Sequence, residues 1–238
     1  MKWTLMNSKV CTLIPAAGKG NRMAHSVKKP YLKLAEKPIL AHTIQRFEQN
    51  TAVDAIFVIV DEADFNECRK TVLEPYAFKK VQELVAGGET RQMSVYNGIR
   101  ALSADVDFVI VHDGVRPFVT DEAIFAGLTA ADECGAAAAA MPVKDTIKIA
   151  DANGFIVETP AREQLWAVQT PQVFRKSLLE EAHWTAQKRQ LAGTDDAALV
   201  EQLGLPVKLV KGSYANLKIT TPVDLQVAET LLSDPTLW

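Results

Sequence analysis

Leu13-Ile14-Pro15-Ala16-Ala17-Gly18-Lys19-Gly20-Asn21-Arg22-Met23 is the stretch that decides the fold. An apolar run beginning at Val10 ends in small residues, two glycines and a basic side chain. Such a segment reads as a β-strand feeding a loop whose backbone N–H groups can approach phosphate oxygens, with glycine supplying turns that other residues resist. Two familiar nucleotide fingerprints do not fit. Met23 stands at the last glycine position of GxGxxG, and GxxxxGK[ST] is absent. The loop alone leaves a phosphate cradle and an ordinary strand-to-helix turn equally open. Lys28 and Lys29 follow closely and favour the cradle. Arg22 and Lys29 can converge on a triphosphate, and transfer at phosphorus calls for preorganised cations because charge builds in the transition state.

Outward from this loop, short β-branched runs alternate with amphipathic stretches, the signature of βαβ units and a mostly parallel sheet flanked by helices. Residues 10–14, 55–60, 81–85 and 108–111 read as strands; the second is continuously apolar, as for a strand covered on both faces. Residues 38–47 and 90–102 carry helical spacing. The run Gly135 to Met141 holds five alanines, which favour helix by propensity, but its place in the alternation predicts a buried strand. Beyond Pro142 the rhythm breaks. Residues 146–150 and 155–159 flank Asp151-Ala152-Asn153-Gly154, a hairpin signal, so residues 142–164 are expected to project as a β-arm from a single domain spanning 1–238. Residues 166–174 return to the sheet, 175–190 and 195–203 are helical, 207–210 is a strand and 222–232 a closing helix. Thr221-Pro222-Val223-Asp224 reads as the cap of that last helix.

The 238 residues, 48% apolar and 23% charged, describe an ordinary globular chain able to bury a core without disulfides. Cys11, Cys68 and Cys134 are far apart and read as small buried hydrophobes in a reducing, cytoplasmic setting. A net charge of −3 argues against a general nucleic-acid surface, and no secretory signal or membrane span is expected. The four histidines show no metal-binding spacing, and Trp166 is expected in the core. The chain stops soon after its last predicted helix, so no fused second catalytic domain is expected.

The loop followed by Lys29-Pro30-Tyr31-Leu32 resembles the 2-C-methyl-D-erythritol 4-phosphate cytidylyltransferases of the non-mevalonate isoprenoid pathway. The similarity recurs in order along the chain, in Gly87-Gly88-Glu89-Thr90-Arg91-Gln92-Met93-Ser94-Val95, His112-Asp113-Gly114-Val115-Arg116-Pro117 and Pro142-Val143-Lys144-Asp145-Thr146-Ile147-Lys148. It continues through Arg162, Leu165-Trp166, Gln169-Thr170-Pro171-Gln172, Thr194-Asp195 and Asn216-Leu217-Lys218-Ile219-Thr220. The nucleotide half and the closing motif also resemble ribitol-5-phosphate cytidylyltransferase. The 142–148 segment and the Arg162 to Trp166 spacing fit the first family better.

The resemblance implies a Rossmann-like nucleotidyltransferase fold that uses CTP and Mg2+ and releases pyrophosphate. It assigns Pro15, Ala16, Ala17, Gly18, Gly20, Gly88, Glu89 and Ser94 to the nucleotide. It makes Arg22 and Lys29 stabilisers of the charged transition state, and Arg162 and Lys218 the residues that position the incoming phosphate. Asp113, Arg116, Thr146 and Thr194 would complete the polyol-phosphate site, with Asp113 also holding the metal. The arm would cross to a second subunit of a homodimer, bringing Arg162 to the neighbour's site. Departures from the family pattern fall at Pro30, Glu89 and Gly114-Val115.

Overall fold

The computed structural model describes residues 8–18 and 28–238. Arg22, Gly20 and Lys19, all singled out in the sequence, lie outside the described residues. The elements in chain order are β1 (Val10–Pro15), β2 (Lys33–Leu34), β3 (Lys37–Pro38), α1 (Ile39–Gln49), β4 (Ala55–Val60) and α2 (Phe65–Cys68). Then come β5 (Val81–Ala86), α3 (Arg91–Ala101), β6 (Phe108–Val111), α4 (Asp121–Cys134) and β7 (Ala136–Pro142). The arm strands β8 (Ile149–Ala150) and β9 (Ile156–Glu158) precede β10 (Trp166–Arg175), α5 (Lys176–Arg189), α6 (Asp196–Glu201), β11 (Lys208–Lys211) and α7 (Pro222–Ser233).

The main sheet has the order β11-β7-β10-β6-β1-β4-β5. All neighbouring pairs are parallel except those of β10, which runs antiparallel to both β6 and β7. Alternate side chains of the central strands feed two separate cores, as the period of two in a strand requires. Ile14, Ile56, Val58 and Ile110 pack with α1 and α4 on one face; Leu13, Phe57, Ile59 and Val109 pack with α3, α5 and α6 on the other. The continuous apolar run at 55–60 is therefore buried throughout. The alanines of β7 form a strand, as the alternation predicts, and all are buried. Helix propensity yields here because their short side chains lie in a sheet layer between helices.

Helix α4 was not singled out by periodicity. It starts on a Thr120 cap, whose hydroxyl accepts from Ala123 N–H, and ends at Gly135 with φ +92°. That left-handed conformation favours glycine. Two further expectations are corrected. Trp166 is 41% exposed, because the first residues of β10 run with the end of β7 out into the arm. Cys134 is exposed at the end of α4, its thiol donating to the Ala130 carbonyl, whereas Cys11 and Cys68 are buried as expected. The arm strands are shorter than read from sequence. Their loop closes on Asp151, whose Oδ1 accepts from the N–H groups of Asn153 and Phe155, with Gly154 at φ +86°.

The closing helix α7 packs Ala228 and Leu225 against Leu34, Ile39, Phe118 and Ile219 in a third cluster. Its entry is a full capping box: the Thr221 hydroxyl accepts from Asp224 N–H at 3.2 Å, and the Asp224 carboxylate accepts from Thr221 N–H at 2.7 Å. The same carboxylate takes the N–H and hydroxyl of Thr220. This cap fixes the end of the irregular segment that joins β11 to α7. Replacing Thr221 with alanine should lower unfolding free energy by about 1 kcal/mol, the usual worth of a cap. A urea titration checks this, and an unchanged midpoint would contradict it.

Candidate active site

A cavity of about 1130 Å³ opens at the carboxyl ends of β1, β4, β5 and β6. Open α/β sheets place ligands at this edge. One wall is Pro15 to Gly18, another is Gly87 to Arg91 with Ser94, and Lys29, Asp113 and Lys218 reach in from the remaining sides. The walls approach closely for a stated reason. A Cβ on Gly87 would lie 2.4 Å from the Ala17 Cβ, so only glycine lets the two loops meet. Gly114 is similarly tight: an added Cβ would stand 3.0 Å from the Ala16 Cβ and 3.1 Å from a Leu40 methyl.

Ser94 is buried on the first turns of α3, not a surface hydroxyl. Its Oγ donates to the Thr90 carbonyl at 2.9 Å and accepts from Gly88 N–H at 3.0 Å. The hydroxyl thus ties the Gly87-Gly88 loop to the start of the helix. Thr90 caps that helix by accepting from Met93 N–H. Asn97, one turn on, donates to the Ala86 carbonyl and lines the same wall.

Asp113 sits just past β6, its N–H donated to the Thr170 hydroxyl of β10 at 3.0 Å. Its Oδ2 lies 2.8 Å from Lys218 Nζ and 3.5 Å from Arg116 Nε, and its Oδ1 lies 3.4 Å from Arg91 Nε. Burial pushes the Asp113 carboxyl up, but Lys218, then Arg91 and Arg116, outweigh it and hold the group below the usual carboxylate range. The carboxylate is thus ionised at neutral pH. Its neighbour His112 is fully buried against Phe47, and burial pushes it down to about 4. It is neutral at pH 7 and its Nε2 contacts the Arg116 carbonyl at 2.9 Å.

The Asn216-Leu217-Lys218-Ile219-Thr220 segment has no regular structure, yet it is stitched down at each step. Asn216 donates to the Thr170 carbonyl at 2.8 Å, its own carbonyl accepts from Arg116 Nη1 at 2.7 Å, and Ile219 N–H donates to the Val115 carbonyl. These contacts aim Lys218 at Asp113. Thr220 then offers its carbonyl to Lys29 Nζ at 3.0 Å, so two distant motifs meet across the cavity. Lys29 is buried, with Pro30 beside it in a short 3-10 turn; the adjacent Lys28 is gripped by Asp61 and Asp64, each at 2.6 Å.

Of the residues expected from sequence, Pro15, Ala16, Ala17, Gly18, Lys29, Gly88, Glu89, Ser94, Asp113 and Lys218 all line this cavity. Arg116 supports it from behind through Asp113 and Asn216. Thr146, Arg162 and Thr194 do not line it. Thr146 and Arg162 are exposed at the arm, where Arg162 Nη1 donates to the Lys144 carbonyl at 3.1 Å, and Thr194 is exposed on the turn before α6. Arg91 was missed as a site residue although it lies within a quoted motif. A lone arginine at the start of a helix gives no sequence signal of the two carboxylates it meets.

A profile of the 2-C-methyl-D-erythritol 4-phosphate cytidylyltransferase family (IspD) matches residues 10–234. The enzyme of that name from Syntrophotalea carbinolica is 50% identical over 95% of this chain and 97% of its own length. That from Desulforamulus reducens is 47% identical over 96% and 98%. Among solved structures, 4-diphosphocytidyl-2C-methyl-D-erythritol synthase from Anaerococcus prevotii superposes with a TM-score of 0.85 at 30% identity, covering 95% of this chain and 97% of that one. The Thermus thermophilus cytidylyltransferase gives 0.78 at 34% identity, covering 95% of this chain and 100% of its own. On this evidence the chain belongs to the 2-C-methyl-D-erythritol 4-phosphate cytidylyltransferase family.

Proposed function

We propose that the cavity performs this family's reaction with CTP lying along the Pro15–Gly18 and Gly87–Ser94 walls and the polyol phosphate against Lys218, Arg116 and Asp113. The chain transfers the cytidylyl group of CTP to 2-C-methyl-D-erythritol 4-phosphate, giving 4-diphosphocytidyl-2-C-methyl-D-erythritol and pyrophosphate. The observation that carries the assignment of roles is the meeting of Arg91, Arg116 and Lys218 around a single buried carboxylate, with Lys29 lining the same cavity. Three cations about one carboxylate suit two phosphate-bearing substrates in one cavity.

Attack by a phosphate oxygen of the methylerythritol phosphate forms the new bond to the α-phosphorus of CTP as the bond to the pyrophosphate oxygen breaks. The attacking phosphate is already an anion, so no base and no covalent enzyme intermediate is required. Lys218 holds that phosphate, with Arg116 adding its charge from behind Asp113, while Lys29, fixed by the Thr220 carbonyl, meets the charge that builds on the transferring group. Arg22 is assigned to the same task by its place in the loop. Backbone groups at Ala16, Ala17 and Gly88, with Glu89 and the loop held by Ser94, form the base end; a cytosine-sized pocket rejects purines by size and uracil by leaving polar groups unpaired.

Asp113 fits a Mg2+ ion. Among the described residues its Oδ1 has only the long 3.4 Å contact to Arg91, which leaves lone pairs for a hard cation. Among the described residues no cluster of three acidic, histidine or cysteine side chains exists, so phosphates and water would complete the shell, a common arrangement for this ion. When bound, the metal would supply charge neutralisation at the nucleotide phosphates.

The arm gives the reading for Thr146, Arg162 and the dimer. Ile147, Ile149, Phe155, Ile156 and Val157 are all exposed on a hairpin with strands of two and three residues. So short a hairpin needs something to pack against, and a contiguous apolar patch marks an association surface. We infer that two copies exchange arms and that Arg162 and Thr146 serve the neighbour's cavity. No helix among the described residues is long and apolar enough to cross a membrane, and the buried free thiols Cys11 and Cys68 suit a reducing cytoplasm.

Pyrophosphate release from CTP and Mg2+ should be strong with methylerythritol 4-phosphate and weak with ribitol 5-phosphate; the reverse order would reassign the polyol. Lys29→Ala should cut kcat by on the order of 10²–10³, with CTP affinity changed far less; unchanged turnover would remove Lys29 from the catalytic set. Mixing Asp113→Asn and Arg162→Ala chains should recover activity that neither parent has, since one cavity of the hybrid is intact. No recovery would count against a shared site.

A further inference from the structure

Arg91 enters the cavity from the first residue of α3 and divides its guanidinium between two carboxylates. Its Nη1 lies 2.8 Å from Asp196 Oδ2, and its Nε lies 3.4 Å from Asp113 Oδ1. Asp196 is the first residue of α6 and is buried to 1% exposure. Its other oxygen stands 3.0 Å from Nε2 of His183, a residue of α5 that is equally buried. The imidazole lies nearly parallel to the Tyr96 ring of α3, with planes 13° apart and centroids 6.3 Å apart, so packing fixes its orientation. A carboxylate so deep is costly to desolvate unless it is paired. Burial pushes the Asp196 carboxyl up, but Arg91 and His183 reverse this and keep it below its ordinary range.

The two carboxylates that hold Arg91 differ in what a ligand does to them. Asp113 lines the cavity, shares its charge among Lys218, Arg116 and Arg91, and is the candidate metal ligand. Its contact to Arg91 is long and will be competed for when phosphates or a cation arrive. Asp196 does not line the cavity, and its short contact to Arg91 is out of the ligand's reach. Its register is set independently: Asp195 caps α6 by accepting from Ala198 N–H at 2.9 Å, and Gln172 of β10 bonds both Asp195 and the Ala197 N–H.

We propose that Asp196, steadied by His183, is a positioning residue that keeps the Arg91 guanidinium directed into the cavity once Asp113 is engaged, and that Arg91 is a further binding residue for the CTP triphosphate. This rests on the cytidylyl-transfer reading of the same cavity. Arg91 continues the Gly88-Glu89 wall and faces Asp113 Oδ1, whereas Lys218 and Arg116 face Asp113 Oδ2. A guanidinium held by one buried carboxylate stays in place while its second partner changes occupation, so less order has to be imposed when the nucleotide binds.

A double-mutant cycle on the full chain tests the proposal, read as CTP affinity by calorimetry with Mg2+ and as the split between KM and kcat. Asp196→Asn should weaken CTP binding about tenfold and raise its KM by a similar factor, the loss of one close ionic contact. Effects on kcat should stay within about threefold. On an Arg91→Met background the same Asp196→Asn change should add less than about twofold, because it acts through the arginine. Unchanged affinity in Asp196→Asn, or an equal loss on both backgrounds, would overturn the proposal; a merely structural role would show no such dependence on Arg91. Should Asp196→Asn fail to fold, His183→Ala takes its place in the cycle under the same criterion, and His183→Gln, which keeps a donor near the Nε2 position, should restore affinity. Pyrophosphate release by the unsubstituted protein is the control. Its absence would count against the reaction while the CTP cycle stays readable, and its presence without coupling would overturn this inference alone.

Discussion

Asp113 keeps its negative charge in a place where burial alone would remove it, because Lys218, Arg91 and Arg116 surround it. Each of those cations is in turn held by something remote in sequence. Lys218 rides on a segment bonded to β10 and to the loop after β6, Arg116 donates to the Asn216 carbonyl, and Arg91 is shared with Asp196. The carboxylate therefore acts as the common counter-ion of these three side chains. Without it, mutual repulsion among these side chains would have to be offset by solvent or by a bound anion. Substrates that bring phosphates supply the same kind of charge, so the resting network already has the electrostatic shape of the occupied one.

The fold was legible wherever one interaction dominated a segment. The apolar run at 55–60 declared a doubly covered strand, and Thr221-Pro222-Val223-Asp224 declared a capped helix, because each depends on neighbours in sequence. The alanine run of β7 was legible only through its place in the alternation, since local propensity pointed to a helix. Helix α4, whose Thr120 cap and terminal Gly135 stand in plain view, is absent from the sequence reading, although both of its end signals are local. Trp166 was misplaced because a large aromatic suggests a core, whereas here it stands where β7 and β10 leave the helix-covered part of the sheet.

The site was legible through the ordered set of motifs more than through any one of them. Residues bound to backbone loops, such as Ala16, Ala17 and Gly88, sit where the motifs put them because the strand ends fix their positions. Arg91 and Asp196 were opaque, since their meaning lies in a contact across 105 positions of sequence between two helix starts, and nothing local marks it. Thr146 and Arg162 present the opposite case. Sequence flags them, yet they stand exposed at the arm, whose apolar side chains are exposed as well among the described residues. The arm's exposed apolar surface is the observation on which the proposal of a second copy rests.

The counter-ion role of Asp113 is tested most directly by the affinity of the metal-free protein for inorganic pyrophosphate, compared with that of Asp113→Asn, using calorimetry at low salt. If the carboxylate balances the surrounding cations, its neutralisation frees them, and pyrophosphate should bind the variant several-fold more tightly although turnover is lost. Equal or weaker binding by a folded variant would contradict the account and leave Asp113 a substrate or metal contact with no organising role.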